Sequence, residues 1–364
     1  MNNRVLTILG TRPEIIRLSA ILPKLDQVLG RENHFVLHTG QNYTAGLSDI
    51  FFQQLNLRQP DLILQNQNTT TAQQIANTFV GVEDAIKRFR PTRALILGDT
   101  NSALSAIICE RMGVPVYHME AGNRCYDLSV PEERNRRVID AASTYNLPYT
   151  ELSRQNLLRE GLPNDRITVV GNPIQEVIEL YQSQINCSDI LQQLNLISGQ
   201  YLVVTAHRAE NVDDSSRLQQ IFTALQHISQ YTTVVFSCHP RTRNKINDFG
   251  ISTNGIQLID PLGFFDFVHL EQHSQMAITD SGTVQEEMCL FGIPTVTIRN
   301  TTERPETVWC GSNIISGLNY QDIVNCYNYF DKHHHSVWQP PAEYVKPNVS
   351  DTVVKLLISN LVRQ

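Results

Sequence analysis

The feature that most constrains the fold is an alternation of short apolar runs with longer amphipathic segments. In the first half, Arg4–Leu9, His34–His38 and Arg93–Leu97 have the length and composition of strands, and helical spacing lies between them. Short strands that alternate with helices are typical of a parallel sheet covered on both faces. The pattern also predicts one helix over Glu14–Leu29 and a closing strand over Ile167–Val170.

A break near the midpoint of the 364 residues predicts two such domains. Gly171-Asn172-Pro173 interrupts the alternation, which restarts with runs such as Tyr201–Thr205 and Met276–Thr279. A chain of this length has room for two domains, each with its own core. We expect an α/β protein with a doubly wound domain over residues 1–171, a second over 172–348, and a terminal helix over 349–364.

Composition excludes several classes of protein. The net charge of −7 argues against a general nucleic-acid binder. The seven cysteines are odd in number and form no C-x-x-C pair, which favours reduced thiols in a cytoplasmic protein over a disulfide framework or a zinc site. No signal peptide and no apolar run of membrane-spanning length is visible, so we expect no membrane partner.

In the first half, polar residues follow the strands, at the edge where doubly wound sheets bind ligands. Arg12 lies in a turn that lacks the dinucleotide G-x-G-x-x-G pattern, and Asp99 follows Arg93–Leu97. Glu120 ends a buried strand, where a carboxylate is costly unless it is paired or functional. Glu132 begins a helix after Pro131. A helix cap for Asp99 and a favourable helix-dipole contact for Glu132 remain the alternatives.

The second half carries a comparable set. His207 follows Tyr201–Thr205, where its ordinary pKa suits proton transfer near neutrality, although a structural histidine is the alternative. Ser281 and Gly282 begin a helix whose free N–H groups attract anions, unless Ser281 forms only a capping box. Glu287 lies one turn in, within reach of ribose hydroxyls, and the loop with Arg304 offers phosphate donors.

Two further features predict nothing catalytic. His333-His334-His335 invites a metal interpretation, but adjacent histidines do not converge easily on one ion, so we expect no metal site. Cys125 lies beside the glutamate cluster, and we interpret it as a bystander thiol.

As a set, these residues resemble the UDP-N-acetylglucosamine 2-epimerases. The motifs that carry the resemblance run from Val5 to about Val308 and read GTRPE, GDT, HMEAG, PEE-x-NR, TAHR-x-EN, TDSG-x-x-QEE and TTERPE. The family implies a GT-B-like fold, with two Rossmann-like domains, a nucleotide-sugar in the cleft between them, and the final helix packing back on the first domain. It implies no metal or redox cofactor.

The resemblance also implies a role for each site residue. The chemistry removes the proton at sugar C2, expels UDP from C1, and re-adds UDP with a proton on the other face of C2. Phe267 is expected to lie against the uracil and Arg12 to approach the diphosphate. The implied acid–base residues are Asp99, Glu120, Glu132 and His207, and the implied UDP-sugar ligands are Arg12, Arg124, Phe267, Ser281, Gly282, Glu287 and Arg304.

Departures from the commonest family pattern indicate a subgroup. The stretches Gly122–Asp127 and Val130–Glu133 resemble enzymes for modified sugars, such as UDP-2-acetamido-2,6-dideoxy-L-talose, which gives UDP-N-acetyl-L-fucosamine. UDP-2,3-diacetamido-glucuronate and UDP-N-acetylglucosamine are the alternatives. Gln41–Thr44 differs from members that bind a second, activating substrate molecule, so we expect no such allostery. We expect a bacterial homodimer that serves polysaccharide synthesis, for capsule or O-antigen.

Three other functions remain open from the sequence. A hydrolysing epimerase shares the first step but releases free sugar and UDP. A nucleotide-sugar sensor binds without turnover, which the retention of all four acid–base candidates disfavours. A GT-B glycosyltransferase needs an acceptor and leaves C2 of its donor unchanged.

Overall fold

The computed structural model describes residues 3–41, 45–66, 69–332 and 337–359, and the chain divides into two compact units. Unit 1 comprises Met1–Leu180 and Ala342–Gln364, and unit 2 comprises Tyr181–Pro341. The strands within the described ranges are β1 Val5–Leu9, β2 His34–His38, β3 Leu62–Ile63, β4 Arg93–Leu97, β5 Val116–Met119, β6 Tyr145–Leu147, β7 Tyr201–Thr205, β8 Thr233–Ser237, β9 Ile256–Ile259, β10 Met276–Thr279, β11 Thr295–Thr297 and β12 Asn313–Ile315.

Helices connect most of these strands. Within the same ranges they are α1 Arg12–Leu18, α2 Leu22–Leu29, α3 Ala45–Gln54, α4 Thr71–Phe89, α5 Ala106–Arg111, α6 Pro131–Ala142, α7 Glu151–Arg159, α8 Ile174–Leu180, α9 Gln182–Asn186, α10 Ile190–Gln193, α11 Ala209–Val212, α12 Ser215–Ile228, α13 Pro240–Asp248, α14 Phe264–Gln272, α15 Gly282–Phe291, α16 Pro305–Trp309, α17 Tyr320–Lys332 and α18 Val349–Ile358. None of them is long and apolar enough to cross a membrane.

Unit 1 is built on a parallel sheet of six described strands in the order β3-β2-β1-β4-β5-β6. Val5 of β1 lies between His34 of β2 and Arg93 of β4, so the chain runs outward from β1 in one direction and from β4 in the other. In a doubly wound sheet, such a reversal opens a crevice at the carboxyl ends of the two central strands. The loops after β1 and β4 therefore border the expected ligand position of unit 1.

Unit 2 repeats the same plan. Its described strands are ordered β12-β11-β10-β7-β8-β9, with β7 paired in parallel to both β8 and β10. The reversal lies between β7 and β10, so the loops after these strands occupy the equivalent position. The predicted pair of doubly wound parallel-sheet domains is confirmed.

Burial explains why the strands read as continuous apolar runs. All five residues of β1 are buried, and Leu202 and Val204 of β7 are fully buried among the helices of unit 2. In a parallel sheet covered on both faces, neither face contacts solvent, so the strands need no alternating polar residues. The core in each unit thus holds the strands fixed, and the loops at their carboxyl ends are free to carry polar chemistry.

One predicted helix is divided in two. Glu14–Leu29 was expected to be continuous, but α1 ends at Leu18 and α2 begins at Leu22. Pro23 lies in the first turn of α2, where its missing N–H is harmless; inside a continuous helix, it would break the ladder of backbone hydrogen bonds.

The outer edge of the first sheet also differs from the prediction. The expected closing strand Ile167–Val170 makes a single bridge, between Ile167 and Asn146, and the edge strand is β6. A three-residue strand with a central asparagine gives little apolar signal, and the backbone from residue 168 follows its edge through a bond from the Thr168 N–H to the Asn146 carbonyl.

The unit boundaries fall at 180/181 and 341/342, whereas the sequence predicts 171/172 and 348/349. Helix α8 belongs to unit 1, because the Glu176 carboxylate accepts a hydrogen bond from the Ser350 N–H at 2.9 Å. The Lys24 ammonium on α2 binds Asp351 at 2.6 Å, which fixes α18 against the same unit. Residues 342–348 join unit 1 as well, since the Asn172 N–H donates to the Glu343 carbonyl at 2.9 Å.

Candidate functional site

The loops after β1 and β4 are joined by Glu14. Its buried carboxylate accepts hydrogen bonds from the Gly10 N–H at 2.6 Å, the Thr11 N–H at 3.3 Å and the Thr100 hydroxyl at 2.8 Å. Burial raises the pKa of Glu14 to about 7, although these donors oppose the shift. Glu14 thus holds the two loops at the reversal point together and titrates near neutrality.

Arg12 places a positive charge at the loop that follows β1. It begins α1, is half-buried, and its guanidinium lies 5.7 Å from the centre of the Phe51 ring. Burial lowers its pKa. Among the side chains that the structure describes, it has no carboxylate partner, whereas most buried arginines have one. A half-buried guanidinium beside a ligand-binding edge suits an anionic ligand.

Glu120 has a backbone conformation that a non-glycine residue rarely adopts. Its φ is +67°, in the left-handed region, immediately after β5. The carboxylate accepts a hydrogen bond from Arg17 at 2.8 Å and one from the Asn123 amide at 3.3 Å. A methyl group built on Gly98 would lie 3.9 Å from Glu120 Oε2, so this carboxylate lies beside the β4 loop. Local strain held by specific partners is common at functional positions.

Helix α6 contacts the β4 loop through Arg136 and Asn135. Arg136 donates to Asp99 at 2.7 Å and to the buried Glu133 at 3.0 Å, and Asn135 donates to the Asp99 carbonyl at 3.0 Å. Glu132 lies in the first turn of α6 and is partly exposed. Asp99 and Glu120 therefore follow the neighbouring strands β4 and β5, and Glu132 lies on the helix whose Arg136 binds Asp99.

The structure gives Arg124 a bridging position. All three of its guanidinium nitrogens are buried and bonded, to Glu160, to Asp140 and to the Asn123 carbonyl. Burial lowers the pKa of this guanidinium, but the two carboxylates outweigh that effect and raise it. The sequence predicted a direct contact of Arg124 with substrate; in this structure its donors fix the loop that carries Glu120.

His207 occupies the reversal point of unit 2, next to a buried aspartate. Asp280 accepts hydrogen bonds from the backbone N–H groups of His207 and Arg208, each at 2.9 Å, and from the Asn211 amide at 2.9 Å. His207 Nδ1 lies 3.3 Å from Asp280 Oδ1, while about half of the ring is exposed (48%). A histidine oriented by a buried carboxylate and open to solvent on its other side is suited to proton transfer.

The start of α15 is a candidate anion-binding position beside this histidine loop. Ser281 is the N-cap residue, and its side chain makes no capping hydrogen bond, so the capping-box alternative is not realised. The first N–H groups of a helix lack intrahelical partners and attract negative charge. A Cβ at Gly282 would lie 2.7 Å from Glu303 Oε1, so a larger residue there requires the Glu303 carboxylate to shift.

Arginines and glutamates alternate around this helix start. Glu303 accepts from Arg208 at 2.9 Å and from the buried Arg299 at 2.7 Å. Arg304 pairs with the fully buried Glu286 on α15, and its Nη1 donates to the Glu303 carbonyl at 3.3 Å. Buried ion pairs of this kind hold their members in place, so the loop from 299 to 304 is a fixed wall of the anion-binding position.

Phe267 and Glu287 lie on two helices that pack against each other, α14 and α15. Phe267 is partly buried and packs against the cluster that contains Val284 of α15. Glu287 is buried and interacts with the fully buried Glu271 of α14, whose pKa is raised well above its ordinary value by burial and by the neighbouring Glu287 carboxylate. Two carboxyl groups in one apolar interior avoid a double charge when Glu271 keeps its proton.

Sequence reasoning missed several residues that hold these positions. Arg17, Asp280 and Glu271 were not among the predicted site residues, and neither was Glu14, although it lies in the GTRPE motif. Each is a buried charged group, and a buried charge needs a partner that spacing along the chain does not reveal.

Metal ligation finds no support in the described ranges, where no group of three or more His, Cys, Asp or Glu side chains is arranged to hold an ion. His333-His334-His335 lies outside the described residues, as do Asn42, Tyr43 and Thr44 of the segment considered for allostery.

Comparison with known proteins agrees with the geometry. The family model for UDP-N-acetylglucosamine 2-epimerase matches residues 28–358. The chain is 36% identical over 329 residues to UDP-N-acetylglucosamine 2-epimerase of Methanocaldococcus jannaschii, covering 87% of this chain and 89% of that protein. It is 37% identical over 328 residues to UDP-2,3-diacetamido-2,3-dideoxy-D-glucuronate 2-epimerase of Pseudomonas aeruginosa, covering 88% and 90%.

A solved structure extends the likeness to the whole fold. The M. jannaschii UDP-GlcNAc 2-epimerase, crystallised in complex with UDP-GlcNAc and UDP, superposes with a TM-score of 0.91 at 34% identity and covers 97% of this chain and 99% of that one. The predicted GT-B-like fold is thereby confirmed. The chain belongs to the UDP-N-acetylglucosamine 2-epimerase family and is a non-hydrolysing 2-epimerase of UDP-acetamido sugars.

Proposed function

We propose that this enzyme inverts C2 of a modified UDP-2-acetamido sugar by removing the C2 proton, expelling UDP and adding it back. The observation that carries the proposal is the carboxylate group around the β4 loop. Glu120 lies beside Gly98, and Asp99 is the residue after Gly98 in the chain. The carboxylates of Glu120 and Asp99 are each bound by a buried arginine, Arg17 and Arg136 respectively. A weakly acidic C2–H requires a base fixed within hydrogen-bond reach, and such positioning supplies a large part of the rate.

Glu132 and His207 complete the proposed set of proton-transfer groups. Inversion requires a proton to leave one face of C2 and another to arrive on the opposite face, so one group alone does not suffice. We assign these steps to Asp99, Glu120 and Glu132, with His207 as the fourth acid–base residue. The contact between His207 and Asp280 supports that assignment, because a buried aspartate fixes the orientation of the ring.

UDP is proposed to bind mainly to unit 2. The diphosphate accepts hydrogen bonds from the Ser281 hydroxyl and the Gly282 N–H at the start of α15, and Arg304 adds positive charge nearby. The uracil packs against Phe267, and Glu287 accepts from the ribose hydroxyls. We assign the guanidinium of Arg12 to the diphosphate as it leaves C1.

For the sugar, we favour UDP-2-acetamido-2,6-dideoxy-L-talose, which gives UDP-N-acetyl-L-fucosamine. Support comes from the stretch Gly122–Asp127, which departs from the commonest family pattern. UDP-2,3-diacetamido-glucuronate is the second candidate, favoured by the 37% identity to the P. aeruginosa enzyme that acts on this sugar. UDP-N-acetylglucosamine is the third. We further propose a homodimer that serves surface-polysaccharide synthesis.

Proton NMR in deuterated water tests the reaction and the substrate together. Each of the three UDP-sugars is incubated with the purified protein, and the C2 proton signal is followed. Loss of that signal with formation of an intact 2-epimeric UDP-sugar identifies the substrate. Accumulation of free sugar and UDP instead makes the enzyme a hydrolysing epimerase.

The same experiment separates the remaining alternatives. A nucleotide-sugar sensor binds UDP yet exchanges no C2 proton with any of the three. A glycosyltransferase also leaves C2 unchanged, and it consumes the donor only when an acceptor sugar is added. Absence of exchange in all three sugars, with UDP binding intact, rejects the proposed function.

A further inference from the structure

Two cysteines of unit 2 lie close enough to react with each other. Cys289 is on α15, and Cys310 is the C-cap residue of α16; their Sγ atoms are 3.7 Å apart. Both are free thiols in this structure. A disulfide requires an S–S distance of about 2.05 Å, so a relative shift of under about 2 Å forms the bond.

The environment makes the two thiols unequal. Cys289 is fully buried, whereas Cys310 is partly exposed. A hydrogen bond from the Cys289 thiol lowers the pKa of Cys310 to about 6 and raises that of Cys289, since the shared proton stays on the buried sulfur. The Ser312 hydroxyl lies 3.4 Å from the Cys310 sulfur and also favours the thiolate.

We infer that Cys289 and Cys310 form a redox modification site, in which Cys310 is the reactive thiolate and Cys289 the resolving thiol. An accessible thiolate next to a resolving cysteine is the arrangement expected of a thiol that responds to peroxide. The site does not depend on the proposed function, because neither cysteine belongs to the acid–base or UDP-binding residues.

The chemistry balances with a hydroperoxide as oxidant. The Cys310 thiolate attacks one peroxide oxygen, the O–O bond breaks, and hydroxide leaves and takes a proton to become water. The Cys289 sulfur then attacks Cys310; the S–S bond forms, the S–O bond breaks, and a second water carries off the Cys289 proton. One peroxide is reduced and two thiols are oxidised to one disulfide, which an added dithiol reverses.

The bond would connect two parts of the proposed UDP site. Cys289 lies two residues beyond Glu287 on α15, and α16 begins just after Arg304, which pairs with Glu286. The link therefore spans the two helices that carry these residues. Both tryptophans of the chain are nearby, since Trp309 precedes Cys310 and the Trp338 indole donates to the Cys289 carbonyl at 3.1 Å. Their fluorescence reports on the reaction.

The test oxidises the full-length, fully reduced protein with hydrogen peroxide and maps the thiols by mass spectrometry. We expect a peptide pair joined through Cys289 and Cys310, a change in tryptophan fluorescence, and recovery of both with dithiothreitol. At neutral pH, Cys310 is expected to react about tenfold faster than the exposed Cys187. Cys187→Ser is the matched control and retains the link.

Two single variants test the roles of Cys310 and Cys289 separately, so the test still holds if one of them folds poorly. In Cys289→Ser, whose hydroxyl still donates to the Cys310 sulfur, Cys310 is expected to stop at the sulfenic acid, which dimedone traps; in Cys310→Ala, peroxide leaves Cys289 reduced. A link between other cysteines, or Cys310 that stays reduced while Cys187 is oxidised, overturns the inference.

Discussion

Arg17 Nη1 and Glu120 Oε2 lie 2.8 Å apart, which joins a buried helix residue to the carboxylate with the most unusual backbone conformation in the proposed site. Arg17 is 2% exposed and also lies over the Tyr149 ring at 5.7 Å. The Glu120 carboxylate is thus held by a residue of α1, while the left-handed φ of Glu120 sets the direction of its side chain at the end of β5. The pair connects α1, which begins within the first motif, to a proposed catalytic base 103 residues further along the chain.

Replacing Arg17 with methionine is expected to damage both folding and turnover. The variant leaves the Glu120 carboxylate without its charged partner in a poorly hydrated position, which costs about 2 kcal/mol of unfolding free energy. Turnover falls about 100-fold, because a misplaced base loses its reach to C2. Urea unfolding and initial epimerisation rates measure the two effects. Arg154→Met removes an exposed ion pair with Glu151 and serves as control; equal losses in both variants would contradict the assigned role of Arg17.

Glu120→Gln isolates the chemical role of that carboxylate. The amide keeps the size of the side chain and its acceptor oxygen for Arg17, so we expect a folded protein that still binds UDP. A glutamine does not take a proton, so the epimerisation rate is expected to fall roughly 100- to 10,000-fold. Wild-type turnover in this variant would remove Glu120 from the acid–base assignments.

His207→Asn is expected to separate binding from catalysis in unit 2. The backbone N–H of residue 207 still donates to Asp280, so the loop keeps its anchor. Without an imidazole, turnover is expected to fall roughly 100- to 10,000-fold, while UDP affinity measured by calorimetry stays within about twofold. His239→Asn, whose ring centre is 6.5 Å from that of His207, is the control and keeps most activity. If the two variants lose equal activity, His207 has no special role.

Gly282→Ala is expected to weaken UDP binding. The added methyl group would lie 2.7 Å from Glu303 Oε1, so either the start of α15 or the Glu303 carboxylate, which Arg208 and Arg299 hold, must shift. Loss of one well-aligned N–H to the diphosphate raises the Kd for UDP about tenfold, which corresponds to about 1.4 kcal/mol. Thr283→Ala changes the next residue of the same helix without touching its N–H groups. A Kd for Gly282→Ala equal to that of Thr283→Ala would place the diphosphate elsewhere.

Much of the architecture follows from local sequence. The apolar runs that became β1, β4, β7 and β10 are continuous because both faces of each sheet are covered. Residues that directly follow these strands, such as Asp99 and His207, could be placed at the reversal points from the pattern alone. The edge strand β6 and the division of α1 from α2 could not, because short polar strands and single turns carry weak periodicity.

The partners of the site residues could not be predicted from the sequence, for a different reason. Arg17 binds Glu120 across 103 residues, and Asp280 binds His207 across 73. Such pairs form only when the parallel sheets bring distant loops to one edge, so no spacing rule predicts them. Arg124 shows the converse: its position in a motif suggested a ligand contact, whereas Asp140 and Glu160 occupy its donors.

The pH dependence of stability tests the buried carboxyl of Glu14. In the folded protein burial raises its pKa from 4.5 to about 7, so the unfolded chain gives up this proton first as the pH rises. Stability is therefore lost progressively between these two values, by about 3 kcal/mol once the pH exceeds the folded-state pKa. In Glu14→Gln this decline disappears, which urea unfolding at about pH 5 and about pH 8 detects. Glu83→Gln, at an exposed ion pair with Lys87, retains the wild-type slope. A Glu14→Gln variant with the same slope as the wild type would mean that Glu14 is ionised throughout, held charged by the donors of Gly10, Thr11 and Thr100.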